Sequence, residues 1–200
     1  MTRQRKSTEE RRTEIAEVAL EIIAEEGIRR FTVANISEKV GLAEGTIFRH
    51  FDDMDDIVME AVERLQELLL EGAGGFAAEE VADPLERVKG FLSTRVELIA
   101  ERPELLKLLF SDDLEKVGPE AAAQQIRTLK RRSMTFILNQ FRLAKQEGLI
   151  TADISAEDLL FVAHGTALAT VFSSDDVEAV IGEEPDPAGA MEAFLEVLRG

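Results

Sequence analysis

Apolar residues recur along this chain at intervals of three and four, and no stretch alternates with a period of two. That pattern admits helices with one buried stripe and argues against a half-buried sheet. Glycine and proline cut the stripes into helix-length pieces. Ser7 and Glu10 have capping-box spacing, and Ile15, Ala19, Ile22 and Ile23 form a stripe that stops at Gly27. Thr32 can cap a short helix that turns Val33, Ile36 and Val40 inward and ends at Gly41, and Ala43 to Phe48 forms a third. A longer helix runs from Asp52 or Asp53 to near Glu71, where "GAGG" (Gly72 to Gly75) stops it. Asp83-Pro84 opens the next, to near Ala100, and Arg102-Pro103 opens another through Phe110. After "VGP" (Val117 to Pro119) the longest pattern runs from Glu120 to Glu147, before Gly148. Ser155 with Asp158 caps a helix to Phe172, the acidic loop "SSDDVEAVIGEEPDP" follows, and Ala188 to Leu198 is a short terminal helix. The expectation is an all-α chain of about nine helices.

Two hundred residues suffice for one large core or two small ones. The absence of cysteine excludes a disulfide framework, a thiolate metal site and a thiolate nucleophile, and it fits a reducing compartment; the cytoplasm is expected. No apolar run reaches about 18 residues, and the N-terminal charges precede no signal-peptide core, so neither a membrane span nor export is expected. The only histidines are His50 and His164, no glycine loop carries a phosphate-binding lysine, and the carboxylates are scattered as solvated helix faces. The chain is therefore not expected to be an enzyme, and no catalytic residue, metal or cofactor is expected.

The formal charge of -17 opposes a polyanionic partner, but it is unevenly spread. Residues 1–51 hold nine Lys/Arg and nine Asp/Glu, whereas residues 52–200 hold fourteen against thirty-one. A functional division into 1–51 and 52–200 is expected. Arg3, Arg5, Lys6, Arg11 and Arg12 lie within the first twelve residues and form a basic arm. Behind it, the spacing of Val33, Ile36, Val40, Leu42 and Ile47 fits a helix-turn-helix, in which a small core holds the second helix steeply enough to enter a major groove. The same spacing also fits an ordinary corner of an α domain.

The segment "EIAEVALEIIAEEGIRRFTVANISEKVGLAEGTIFRHFDDMDDIVMEAV", Glu14 to Val62, resembles the N-terminal domain of the TetR (tetracycline-repressor) family of transcriptional regulators. The resemblance rests on the "EEG" ending of the first helix, Thr32, Ile36, Val40-Gly41-Leu42, Gly45-Thr46-Ile47-Phe48 and His50-Phe51. It implies DNA-facing roles for Glu44, Thr46 and Arg49, close approach at Gly45, and phosphate contact at His50 and at Thr32, which can also simply cap its helix. Phe48 stands where the family usually carries a phosphate-binding tyrosine, and Met54 where it usually carries a lysine. In their place "DDMDD" (Asp52 to Asp56) suits a helix start. Phosphate contacts are then expected from the arm, Arg49, His50 and Lys39. An acidic helical interaction protein whose helix-turn-helix no longer binds DNA is the alternative.

In the acidic remainder, candidate effector-site positions are Leu68, Phe91, Leu98, Leu105, Leu109, Phe110, Met134, Ile137, Leu138 and Phe141, with Arg95, Asn139 and His164 as polar members. Helical stripes do not distinguish a filled core from a cavity; the family resemblance implies that the region encloses a small, apolar or aromatic effector. "LLFVAHGTALATVF" allows close helix approach, and with the terminal helix it resembles the family's dimer interface, through Leu159, Ala163, Thr166, Ala167, Thr170, Phe194, Leu195 and Leu198. An intramolecular core helix reads equally from those residues. The resemblance implies a homodimeric, ligand-responsive repressor with a double-stranded, pseudo-palindromic operator as its partner.

Overall fold

A computed structural model describes residues 6–71, 81–102, 105, 108–109, 111–172, 174–182 and 186–199, with ten α helices and no strand among them. Helix α1 (Thr8–Glu21) starts at a complete capping box, in which Ser7 Oγ accepts the Glu10 N–H and Glu10 accepts the Ser7 N–H. It continues into a π-helical turn (Ile22–Glu26) and ends at Gly27, φ 84°. A short 3-10 turn (Ile28–Arg30) leads to α2 (Val33–Val40) and α3 (Glu44–Ile47). Then come α4 (Met54–Glu71), α5 (Pro84–Glu101), α6 (Asp113–Val117), α7 (Glu120–Gln146), α8 (Ala156–Phe172), α9 (Ser174–Ile181) and α10 (Pro187–Arg199). The helix expected between Arg102 and Phe110 lies largely outside the described residues.

Two differences from the expected element order have physical causes. The segment expected as an acidic loop contains α9, two turns closed by Gly182 at φ 79°. Acidic composition alone had suggested a loop, yet no proline interrupts the run before Pro185. The turn α6 is too short to leave a periodic signature.

The chain divides into two compact units, Met1–Leu68 with Glu104–Leu129, and Leu69–Pro103 with Lys130–Gly200. The expected functional boundary at 51/52 falls inside the first of these. In the first unit Ile15, Ala19, Ile22, Ile23, Ile36, Ile47, Phe51, Ile57, Leu65, Leu105 and Leu114 are buried. There Gly118 lies against α4: a methyl group at 118 would overlap Val58, coming within 3.2 Å of its Cβ. In the second unit α10 packs on α5 and α8. Its core joins Leu85, Val88, Phe91, Ile137, Phe141, Ile150, Leu159, Ala163, Met191, Leu195 and Leu198.

Candidate nucleic-acid interface

The geometry of α2 and α3 follows from two residues. Thr32 is extended and its hydroxyl accepts the Asn35 N–H at 3.3 Å, which starts α2. Gly41 adopts the left-handed conformation (φ 72°, ψ 40°), its N–H donating to Glu38 O while the Leu42 N–H donates to Ser37 O at 2.9 Å. This paired pattern closes α2 and turns the chain into α3; a β-branched residue would strain the backbone there. Ile36, Val40 and Ile47 are buried between the two helices, which fixes the face of α3 that points outward. On that face Glu44, Gly45, Phe48 and Arg49 are exposed, with Thr46 and His50 half-buried. Helical hydrogen bonds continue past α3 through His50 and Phe51, where Ile47 O accepts both N–H groups.

The expected cations divide sharply by what they touch. Lys6 pairs with Glu14 at 2.8 Å, Arg11 pairs with the same carboxylate, and Lys39 pairs with Glu26 at 2.9 Å. Arg12 is the most engaged. It donates to Glu60 Oε2 through Nε at 2.9 Å and Nη2 at 2.6 Å, to Asp56 Oδ1 at 3.3 Å, and to the backbone oxygen of His50. Its guanidinium lies 4.2 Å from the centre of the Phe51 ring. Burial works against its charge, but the hydrogen bonds to Glu60 and Asp56 outweigh that and hold its pKa above the ordinary arginine value. Expected on the phosphate-contacting arm, Arg12 is instead directed inward, tying α1 to the end of α3 and the first two turns of α4.

Arg49 has no ion pair among the described residues and is exposed beside Gly45 and Thr46. Arg29, not foreseen as a site residue, shares both properties; its one sequence signal is a cation placed three residues before the capping Thr32. Arg3 and Arg5 lie outside the described residues. The Nδ1 of His50 is buried with no hydrogen-bond partner among the described residues.

The acidic run has a structural purpose. Asp53 Oδ1 accepts the Asp56 N–H at 2.9 Å, and Asp56 Oδ2 accepts the Asp52 N–H at 3.2 Å. Those contacts cap α4, and Asp56 also serves Arg12. Asp52 and Asp55 remain exposed.

The other expected site residues fall as follows. Phe91, Ile137 and Phe141 are buried in the second unit's core with Leu138 packed against them, whereas Leu105 and Leu109 are buried in the first unit, to which Leu68 also belongs. Leu98, Met134, Arg95 and His164 are half-buried in the second unit, Asn139 is exposed, and Phe110 lies outside the described residues. Leu159, Ala163, Leu195 and Leu198, expected at a dimer face, are at most 4 % exposed in the single chain and belong to the second unit's core, against which Phe194 packs. Helix α8 is apolar on all sides, so its sequence could not show which side faces inward. Thr166 donates to Val162 O at 3.0 Å, and the side chains of Ala167 and Thr170 lie outside the described set. Among the described residues, the large apolar side chains that these helices leave exposed are Phe161 (79 %), Val162 and Val197 (74 %).

Residues 15–61 match the family model described as bacterial regulatory proteins, tetR family. Over 147 residues the chain is 22% identical to the HTH-type transcriptional repressor KstR2 of Mycobacterium tuberculosis, covering 74% of this chain and 72% of that one. Among solved structures, a TetR-family regulator from Agrobacterium tumefaciens superposes with a TM-score of 0.74 at 18% identity, covering 97% of this chain and all of the other. AibR, solved in complex with isovaleryl coenzyme A and operator DNA, gives 0.74 at 18% identity over 95% of this chain and 98% of that one. No helix of the described residues is long and apolar enough to cross a membrane. The helix-turn-helix segment, residues 15–61, thus matches the tetR family of bacterial regulatory proteins, and the whole chain is similar in fold to transcriptional regulators of that family.

Proposed function

We propose that the chain is a homodimeric repressor that binds a pseudo-palindromic operator and is released by a small-molecule effector. The observation that carries the DNA half of this reading is Arg49: exposed and free of ion pairs among the described residues, it sits on the outward face of α3 beside Gly45 and Thr46. A guanidinium so placed can pair with guanine O6 and N7, Glu44 can accept from cytosine N4, and Gly45 lets the backbone come close. One such helix sees few base pairs, so a two-fold dimer presenting two of them about 34–36 Å apart, or a multiple of that, supplies the affinity. The similarity to a mycobacterial repressor and to a regulator solved with an acyl-coenzyme A and operator DNA supports the same reading.

The exposed apolar side chains Phe161 and Val162 on α8 and Val197 on α10 are the proposed dimer contacts. The half-buried positions Leu98 and Met134 and the buried Phe91 belong to the proposed effector site. Effector binding acts through α4, whose first two turns Arg12 ties to the end of α3. A coupling of about 1–3 kcal/mol between effector and operator would weaken DNA binding roughly 5- to 150-fold.

The test is binding of the purified dimer to its own upstream intergenic DNA and to scrambled DNA across a salt series. Specific binding that Arg49→Ala lowers at all salt concentrations is the expected result. Equal, weak binding to both DNAs at low salt would overturn it and favour an acidic interaction protein, the reading suggested by the pairing of Lys6, Arg11, Arg12 and Lys39 with carboxylates.

A further inference from the structure

In the acid-rich second unit most described cations already have anionic or carbonyl partners. Lys89 pairs with Glu192, Arg142 with Glu157 at 2.7 Å, and Arg199 with both Asp83 and Glu86 at 2.8 Å. Arg87 donates to the Val81 carbonyl and to Gln140. Arg131 and Arg132 are exposed to solvent. Arg95 differs from all of these. It is half-buried on α5, and among the described residues no carboxylate reaches it. Its guanidinium lies 3.6 Å from the centre of the Phe91 ring, Nη2 donates to Ser133 Oγ of α7 at 3.3 Å, and Nη1 makes a long 3.5 Å bond to Phe91 O. The ring of Phe136 stands 4.9 Å from that of Phe91.

A guanidinium has five N–H donors, so about three here have no protein acceptor among the described residues. Stacking on Phe91 and the bond to Ser133 hold the plane of the fork in place, the arrangement that favours two parallel hydrogen bonds to one oxyanion. A fixed, partly desolvated charge with no counter-ion among the described residues is costly to maintain in a chain that has forty carboxylates to offer. Burial pushes the Arg95 guanidinium down to about 10.

We infer that Arg95 and Ser133 form an oxyanion site in the second unit, and that the effector is an amphipathic molecule with a carboxylate or phosphate head. The head pairs with the Arg95 fork, and the Ser133 hydroxyl, which accepts from Arg95, can donate its own proton to the same head. Leu98 shares the Arg95 face of α5 and Phe136 and Ile137 the Ser133 face of α7, so the remainder of the molecule meets apolar side chains. This inference rests on the effector-binding part of the proposed function and gives that site a chemistry.

The chain has neither Trp nor Tyr, so binding is read by calorimetry and by melting of the helical circular dichroism signal. The probes are octanoate, octyl phosphate and octan-1-ol, each below its micelle concentration, added to the intact protein and to Arg95→Met, Arg95→Lys and Ser133→Ala. The expected result is that the wild type binds at least one anionic probe about 10- to 100-fold more tightly than the alcohol. Arg95→Met should lose that preference while melting, without ligand, at or above the wild-type temperature; Arg95→Lys should keep only part of it. Preference for octanoate over octyl phosphate, or the reverse, assigns the head group. An anion preference that survives in Arg95→Met, or a wild type that binds neither anion better than octanol, overturns the inference; if Arg95→Met does not fold, an undiminished preference in both Arg95→Lys and Ser133→Ala does the same. Operator binding is measured on the same preparations. Operator binding without anion binding removes the oxyanion site and leaves the repressor, and Arg95-dependent anion binding without operator binding does the opposite.

Discussion

Arg12 and Glu60 stand 48 positions apart in the chain and 2.6 Å apart in the fold. With Asp56 and the His50 carbonyl they join three helices around one guanidinium, which also covers the Phe51 ring. Removing it leaves two carboxylates near each other without their cation. Arg12→Ala is expected to lower the stability of the protein by about 1–3 kcal/mol, the cost of leaving partly buried hydrogen-bonding groups without their partner. Because Arg12 points inward, the slope of log affinity against log salt for operator DNA should stay unchanged, whereas Arg49→Ala should flatten it by about 0.9 if Arg49 also meets a phosphate. Chemical denaturation and the salt series together check this; a flattened slope in Arg12→Ala would return Arg12 to the DNA-contacting set.

Phe48 is exposed at the surface of the helix-turn-helix, 45 % accessible, with no hydroxyl to offer a phosphate. Phe48→Tyr adds one hydrogen bond and is expected to tighten operator binding about 2- to 10-fold, with little effect on the salt slope. Met54→Lys adds a cation and should steepen the slope by about 0.9. Fluorescence anisotropy with labelled operator at several salt concentrations separates the two effects.

Gly41 has open space around it, so an added methyl group clashes with nothing outside the backbone. Its φ of 72° alone sets the cost of replacement. Gly41→Ala should lose about 1–2 kcal/mol, and Gly41→Asn less, since asparagine tolerates this conformation better. Urea denaturation midpoints give the order directly.

Asp83 caps α5, accepting the Leu85 N–H at 2.7 Å, and pairs with Arg199 at 2.8 Å. Burial alone would raise its carboxyl; the hydrogen bonds from Arg199, Leu85 and Glu86 outweigh that and hold it below the ordinary aspartate value. The unfolded chain therefore takes up this proton at a higher pH than the folded one. The stabilisation is complete above the unfolded pKa, about 3.9, and is lost as pH falls through the lower folded value. Glu14 moves in the same direction, since its bonds from Lys6 and Arg11 prevail over burial. Melting temperatures of the wild type and Asp83→Asn should differ at neutral pH and converge as the pH falls through the lowered folded-state value. A gap that is constant with pH would show that the carboxylate charge contributes nothing.

The local grammar of the chain was readable before any coordinates: the Ser7 capping box, the Thr32 cap, the Gly41 turn, and the Asp83-Pro84 start all stand where residue chemistry puts them. What could not be read has a common physical origin. Arg12 finds its acids 44 and 48 residues away, and no periodicity encodes a partner at that separation. The inward side of α8 is set by α10 and the core they share, not by its own apolar sequence, so Leu159 and Ala163 went to the core and Phe161 to the surface. The π-helical turn at Ile22–Glu26 keeps the same buried stripe as a continuous helix and so leaves the pattern unaltered.

Gly118 lets the chain pass directly against Val58 of α4. Any side chain at 118 would have to push Val58 and its helix aside. The seat of the helix that follows the DNA-facing segment is therefore set in part by a residue that contributes no side chain.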